Sequence, residues 1–311
     1  MVSLNSVAKY RRLLSPFGIV RLVLMVAIAC RLMMPDCGVA AGERVLPDAP
    51  WITAPSAIVV DMATGGIIYA KGADDRRYPA STTKIMTGIL TLENGDYNQN
   101  VTVSSHAAWV ESTGLWAGQS MREFEMLELM LLESDNGAAT ALGETIGGSE
   151  AGFAAMMNQK AQELGMSGTH FVNCNGMPDE NHYSTARDIA KVAAYAMKNE
   201  MFRRIVASPK IIMPDWENPG STYEAENTNK LLESYPGCIG VKTGYTNAAG
   251  GCLVSAASRN GRELLCVVLK SSDMDTRFSD SAALLDYGFL CAENGLAELP
   301  RNLQIYIVLL F

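Results

Sequence analysis

Ser81-Thr82-Thr83-Lys84 puts a hydroxyl and an amine three residues apart, one turn on the same face if the segment is helical. Pro79, two residues earlier, cannot extend a helix backwards because it has no N–H, so Ser81 is expected at a helix start. A serine hydroxyl is a weak nucleophile until a neighbouring base takes its proton. Lysine serves as that base only when burial or nearby cations lower its pKa. Alone, the pair reads equally well as an N-cap serine beside a surface lysine. It is followed by Ser134-Asp135-Asn136, 53 residues after Ser81, and by Lys242-Thr243-Gly244, 108 residues after Ser134. Separately these read as a loop between helices and as a strand end with a turn glycine. Together, in order and each in its own context of helix start, interhelical loop and strand end, they argue against a chance match.

The elements that must hold these groups follow from hydrophobic pattern. Ser56–Asp61 and Gly66–Ala70 flank Ala63-Thr64-Gly65 and predict a β-hairpin. After Ser81, the residues Ile85, Met86, Ile89, Leu90 and Leu92 mark a buried helical stripe. Phe124 to Leu132 and Gly137 to Ile146 are helix-like on either side of Ser134-Asp135-Asn136. Ser149 caps a helix through Leu164, and Thr185 another through Asn199. Strands return at Cys238 to Thr243. Gly251 to Ala257 and Glu263 to Lys270 form a second hairpin, whose Asn260-Gly261 supplies the positive φ such turns need. Thr276 to Phe289 is a closing helix. Two early strands, a helical middle, three late strands and a last helix imply one α+β unit, its antiparallel sheet drawn from both chain ends.

The three-motif set is the one used by class A β-lactamases and penicillin-binding proteins, and the flanking residues narrow the likeness. Ile58-Val59-Val60-Asp61-Met62-Ala63-Thr64-Gly65, Asn158 through Met166, Thr169-His170-Phe171-Val172-Asn173, His182 through Asp188, Val241 through Thr246 with Ala249-Gly250, and Leu284 through Phe289 resemble the low-molecular-mass penicillin-binding proteins. These are serine-type D-alanyl-D-alanine carboxypeptidases, and the likeness covers roughly residues 50 to 291. It implies a β-lactamase/transpeptidase-like α+β fold: a central antiparallel five-stranded sheet, helices on both faces and an all-helical subdomain. It implies Ser81 as nucleophile, Lys84 as general base and Ser134 as proton relay. It further implies Asn136, Lys242, Thr243, Gly244 and Tyr245 as substrate-binding residues, with the N–H groups of Ser81 and Tyr245 as the oxyanion hole. Arg277 is a weaker candidate for the substrate carboxylate, since a plain surface arginine fits its position as well. Lys242 is expected to help depress the Lys84 pKa. The implied substrates are peptidoglycan stem peptides ending in D-Ala-D-Ala, with β-lactams as covalent inhibitors and no metal or cofactor.

Two departures stand out. Asp135 fills the middle of the second motif, where many carboxypeptidases have glycine and β-lactamases have aspartate. The family often adds a β-rich domain and an amphipathic anchor, yet only 20 residues follow Cys291, so 292–311 is expected as a short tail, a possible remnant of that second domain. The first departure keeps a class A-like β-lactamase open as an alternative. Such an enzyme uses a glutamate in a Glu-x-x-Leu-Asn setting, which neither Glu163-Leu164 nor Glu180-Asn181 matches. A non-catalytic β-lactam or cell-wall sensor is the other alternative, though a pure binder has no use for an activated serine.

Composition agrees. The 311 residues are 48% hydrophobic, enough for a sizeable core. The formal charge is −8, and the basic residues cluster early: Lys9, Arg11, Arg12, Arg21 and Arg31 against Asp36. An acidic body argues against nucleic acid as a partner, and three histidines argue against a histidine-built metal centre. The basic start, the apolar Ile19 to Ala29 and the small residues Gly38-Val39-Ala40-Ala41 predict an export signal over 1–41. An uncleaved anchor or association with a membrane surface stays open. The catalytic domain is then 42–291, placed outside the cytoplasmic membrane, in the wall space or periplasm. Beyond the signal, Cys174, Cys238, Cys252, Cys266 and Cys291 are odd in number and widely spaced, so buried free thiols are expected. His182 sits in a polar loop, and the lysine-based set needs no histidine base.

Overall fold

The computed structural model describes residues 47–218 and 220–294. The expected signal at 1–41, and all but the first three residues of the 292–311 tail, lie outside the described residues. The chain opens with the expected hairpin, β1 (Ser56–Asp61) and β2 (Ile67–Lys71), then makes a 3-10 turn at Ala80–Thr83 that runs into α1 (Lys84–Asn94). A small ribbon, β3 (Asn100–Thr102) and β4 (Ser120–Arg122), brackets the short α2 (Ser105–Trp109). Helices α3 (Glu123–Leu132), α4 (Asn136–Gly147), α5 (Glu150–Glu163), α6 (Ala186–Ala196) and α7 (Glu200–Val206) follow. A second ribbon, β5 (Lys210–Pro214) with β6 (Thr222–Glu226), and the one-turn α8 (Leu231–Ser234) lead to the late strands β7 (Cys238–Thr246), β8 (Gly250–Arg259) and β9 (Arg262–Ser271). The helix α9 (Thr276–Glu293) closes the fold.

The five long strands form one sheet in the order β2-β1-β9-β8-β7, antiparallel throughout. The early hairpin thus docks on the last strand, which puts β9 at the centre and leaves β7 as an edge. Alternation along β9 shows why two helical layers are needed. Leu264, Cys266 and Val268 pack with Leu284, Leu285 and Phe289 of α9 on one face. Leu265, Val267 and Leu269 join the larger core of the remaining helices on the other. A strand whose successive side chains are all buried is covered on both sides. Within the helical layer, Ile85, Met86 and Ile89 of α1 and Met126, Leu127 and Met130 of α3 are almost wholly inaccessible.

Three differences from the sequence pattern have local causes. The helix expected from Thr185 to Asn199 stops at α6, because the Asn199 side chain accepts from the N–H groups of Met201 and Phe202 and so caps a new helix. Both ribbons escape the pattern, since strands of three residues with one buried position, or five with one, give no usable period. β7 runs on to Thr246, so the third motif lies within the strand and not at its end. Among the described residues the five cysteines are free, and all but the half-buried Cys238 are buried.

Leu265→Ala, on the central strand, is expected to lower unfolding free energy by about 2–5 kcal/mol. Ile212→Ala, at a 69% exposed site on β5, should change it by about 0.5 kcal/mol or less. Urea unfolding of both variants checks the pair.

Candidate active site

Lys84 is the first residue of α1 and is inaccessible to solvent. Its Nζ lies 3.0 Å from Ser81 Oγ, 2.5 Å from Asn136 Oδ1 and 2.7 Å from the Asn175 carbonyl oxygen. The Asn136 amide is oriented by its Nδ2, which donates to the Glu111 carbonyl at 2.7 Å. Two of the three neighbours are therefore carbonyl-type oxygens that can only accept. They take two N–H bonds in either protonation state. The third direction points at Ser81, so an ammonium donates to Oγ while a neutral amine offers its lone pair to the Ser81 hydroxyl proton. Burial pulls the Lys84 pKa down from 10.5 to about 7, against a smaller opposing pull from the Asp135 carboxylate. Near neutral pH a large fraction of Lys84 is thus a free amine in contact with the Ser81 hydroxyl.

The backbone that carries Ser81 is clamped. A Cβ on Gly244 would stand 2.9 Å from the Ser81 nitrogen, and one on Gly176 would stand 2.0 Å from the Ala80 oxygen, so β7 and the 173–178 loop can close on the turn only through glycine. Ala80 sits at φ 49, Ser112 at φ 61 and Ser134 at φ 68, left-handed values uncommon for residues with a Cβ. Such conformations concentrate at functional sites, and here they surround Ser81. The Ser81 N–H belongs to the first turn of a helix, where no intrahelical acceptor exists.

Ser81, Ser134, Asn136, Thr243, Gly244, Tyr245 and Arg277 all line one open cavity of about 540 Å³. Lys84 and Lys242 are buried behind its wall. Lys242 Nζ has the Thr243 carbonyl at 3.3 Å, and its pKa is held well below 10.5 by burial first, then by the charges of Lys84 and Arg277. The Thr243 hydroxyl is 2.6 Å from that of Thr228. Arg277, far from being a surface residue, is buried, donates through Nη1 to the Gly244 carbonyl at 2.7 Å, and leaves a buried Nε–H without an acceptor among the described residues. An unpaired buried donor beside a cavity is a place for an anion.

A family model described as D-alanyl-D-alanine carboxypeptidase matches residues 43–273. The chain belongs to the D-alanyl-D-alanine carboxypeptidase family. It is 36% identical over 243 residues to such a protein of Bacillus subtilis, covering 76% of this chain and 62% of that one. It is 35% identical to one from a Streptomyces species, covering 77% of this chain and 88% of the relative. Among solved structures, a Streptomyces DD-transpeptidase superposes with a TM-score of 0.73 at 34% identity, covering 78% of this chain and all of that one. A penicillin-binding protein of Listeria monocytogenes, solved with cefotaxime bound, gives 0.70 at 26% identity, with 78% and 100% covered.

Set in this carboxypeptidase family, the unusual Asp135 has a structural explanation. Its carboxylate caps α4 by accepting from the Ala138 N–H at 2.7 Å and also takes the Thr113 hydroxyl and the Gly114 N–H, both at 2.9 Å. Neither glutamate considered for a β-lactamase-type water lines the cavity. Glu163 faces solvent on α5 with Gln159 and Lys160, and Glu180 lines a neighbouring cavity. His182 is buried, with Nε2 2.9 Å from the Thr83 hydroxyl and Nδ1 accepting from the Val172 N–H at 3.2 Å. Burial lowers its pKa to about 4, which fits a structural pin. Asn175, Gly176 and Thr228 are site residues that motif reading missed. Asn175-Gly176 is a visible turn signal, but Asn175 acts through its main-chain carbonyl, which carries no sequence signature. The expectation that Lys242 depresses the Lys84 pKa is replaced by burial, the dominant cause at both lysines.

If Lys84 takes the Ser81 proton, acylation by benzylpenicillin should speed up about tenfold per pH unit below 7 and level off above it, because the amine must be neutral to accept it. Asp135→Asn keeps a capping side chain while removing the anion that favours charged Lys84, so its inflection should move to lower pH. Stopped-flow acylation from pH 5 to 9 reads both, and an unmoved inflection would contradict the assignment of the base.

Proposed function

We propose that the protein is an exported serine-type D-Ala-D-Ala carboxypeptidase acting on peptidoglycan stem peptides, with residues 1–41 as its signal, 42–291 as its catalytic domain and 292–311 as a tail. The observation that carries this reading is the contact of a fully buried, near-neutral Lys84 amine with Ser81 Oγ at 3.0 Å. Ser81 Oγ attacks the carbonyl between the two D-alanines as its proton passes to Lys84 Nζ. The oxyanion is taken by the N–H groups of Ser81 and Tyr245. Collapse breaks the peptide bond, and the proton reaches the leaving amine through Ser134, which frees D-alanine. Water then attacks the acyl-enzyme carbonyl as its proton passes to Lys84; the ester bond breaks, Ser81 Oγ takes that proton back from Lys84, and the shortened peptide leaves.

The terminal carboxylate of the substrate is proposed to sit against Thr243 and Arg277, with Lys242 acting from behind the wall. An arriving anion favours charge on Lys242. Asn136, Gly244 and Tyr245 are assigned to the acyl-side backbone. β-Lactams would acylate Ser81 and stay bound, as neither Glu163 nor Glu180 lines the cavity.

The test is D-alanine release from a stem-peptide mimic. Ser81→Ala should abolish it, and Arg277→Gln should cut kcat/KM about 100-fold, mostly through KM, by removing a charge-assisted contact. Release that survives Ser81→Ala, or rapid turnover of benzylpenicillin by the parent, would overturn the reading.

A further inference from the structure

Seven large hydrophobic side chains stand exposed among the described residues, and four of them line the catalytic cavity or lie within four residues of its wall. Tyr245 and Met274 are on the lining itself. Trp109, 87% exposed at the end of α2, comes two residues before Glu111, and Trp116, 46% exposed, comes four after Ser112. Glu111 and Ser112 are part of the cavity wall, so the backbone of the two indoles is within about 7 and 14 Å of it. Single exposed hydrophobics are ordinary on a protein surface, but a group of them at one mouth marks a place for a partner.

The loop that carries the indoles is fixed. Asn136 donates to two carbonyls between them, through Nδ2 to Glu111 at 2.7 Å and through its N–H to Ser112 at 3.2 Å. Asp135 takes the Thr113 hydroxyl and the Gly114 N–H, both at 2.9 Å. The Trp116 N–H donates to Gln119 Oε1, and the Trp116 carbonyl accepts the Gln119 N–H, both at 3.1 Å. The second motif therefore holds the same loop that presents the tryptophans. Apolar faces fixed in advance lose little freedom when a partner binds.

The chemistry of the loop decides which partner fits. From Val103 to Met121 there is no lysine or arginine. Its two ionisable side chains are Glu111 and His106, and His106 faces Glu144 at 2.8 Å and Glu150 at 3.8 Å. An anionic membrane surface is disfavoured there, because interfacial tryptophans hold such a surface with the help of basic residues. Nor is this the continuous apolar core of a protein interface, since Glu111, Ser112 and Gly114 are exposed between the indoles. Aromatic platforms separated by small polar groups suit a neutral chain of pyranose rings. The C–H face of a sugar rests on the electron-rich indole while its hydroxyl and acetamido groups stay in water. The acyl side of the stem peptide is assigned above to Asn136, which bonds directly to the 111–112 segment. The acyl residues of a five-residue stem extend at most about 14 Å, so whatever carries the stem emerges at this mouth. Resting on the carboxypeptidase reading above, we propose that Trp109 and Trp116 form a docking surface for the amino-sugar strand to which the stem peptide is attached.

Two measurements test this. One compares kcat/KM for D-alanine release from a stem pentapeptide that is free or attached to a GlcNAc-MurNAc tetrasaccharide. The other titrates tryptophan fluorescence with tetra-N-acetylchitotetraose, a neutral sugar strand without peptide. The parent should favour the glycosylated peptide by about tenfold, and its emission should respond to the oligosaccharide. The Trp109→Ala/Trp116→Ala double variant should lose both effects. Trp51→Ala, at a site about as exposed as Trp109 but not on the cavity lining, should keep both. Labelling by benzylpenicillin, which carries no sugar, shows that each variant is folded. A parent that releases D-alanine from the two peptides alike, or a preference that survives the double variant, overturns the proposal. So does sedimentation with phosphatidylglycerol vesicles that depends on Trp109 and Trp116 while chitotetraose gives no response. A fluorescence response that depends on the two tryptophans, with no D-alanine released from either peptide, would support the surface and count against the carboxypeptidase reading alone.

Discussion

A lysine amine taken out of water without a counter-ion is the constraint on which the rest of this site depends. Desolvation of a charged group in a folded interior is costly enough that the group neutralises, and the contacts of Lys84 let it do so without losing a partner. Ser81 Oγ, Asn136 Oδ1 and the Asn175 carbonyl are all uncharged. A carboxylate in any of those places would hold the amine as an ammonium and leave the serine without a base. The nearest carboxylate in sequence to Asn136, Asp135, is turned into the N-terminus of α4 and the 113–114 segment. There the partial positive charge of the helix end favours an anion. An acid can therefore occupy the middle of the second motif while its charge is satisfied elsewhere.

The same constraint reaches into the core. Lys84 begins α1, and it stays buried because Ile85, Met86 and Ile89 fix that helix in the interior and Thr87 Oγ1 donates to the Cys174 carbonyl at 2.6 Å. That last bond also anchors the loop whose next residue supplies the Asn175 carbonyl. Ser81, just before the helix, has little room to move, with Gly176 on one side and Gly244 on the other. Strain at Ala80, Ser112 and Ser134 is tolerated because these flanking elements over-determine the backbone. Packing, backbone strain and base chemistry are in this sense one arrangement: loosening α1 would rehydrate Lys84 and raise its pKa toward that of an ordinary lysine.

How much of this is legible in the sequence depends on the kind of information involved. The long strands and helices announce themselves by period, and the three motifs bring Ser81, Lys84, Ser134, Asn136 and Thr243 to the cavity or just behind it. The short ribbons do not announce themselves, because one buried residue makes no pattern. Arg277 looked like a surface residue since its burial depends on Gly244, 33 residues away. Asn175 contributes a carbonyl, which every residue possesses, so no side-chain reasoning could single it out. A bulge at Lys270 is equally silent, as it is defined by a register mismatch with β8 and not by a glycine in β9. Side-chain identity is readable from sequence, whereas main-chain donors, acceptors and re-aimed strands appear only when distant segments meet.

Under the proposed mechanism the base is a lysine and not the nearby histidine. Burial acts on both in the same direction, since both are cations when protonated. Lys84 falls from 10.5 to about 7, and His182 falls from 6.5 to about 4. A general base works best with a pKa near the working pH. Burial thus brings lysine down to neutrality but carries histidine well past it, leaving an imidazole too weakly basic to hold a proton from serine. In a dry interior the stronger starting base becomes the useful one. The neutral histidine is then free for a structural task, and His182 performs it by tying Thr83, the residue before Lys84, to the Val172 backbone. The imidazole that another serine enzyme would spend on proton transfer here holds the lysine's helix start in place.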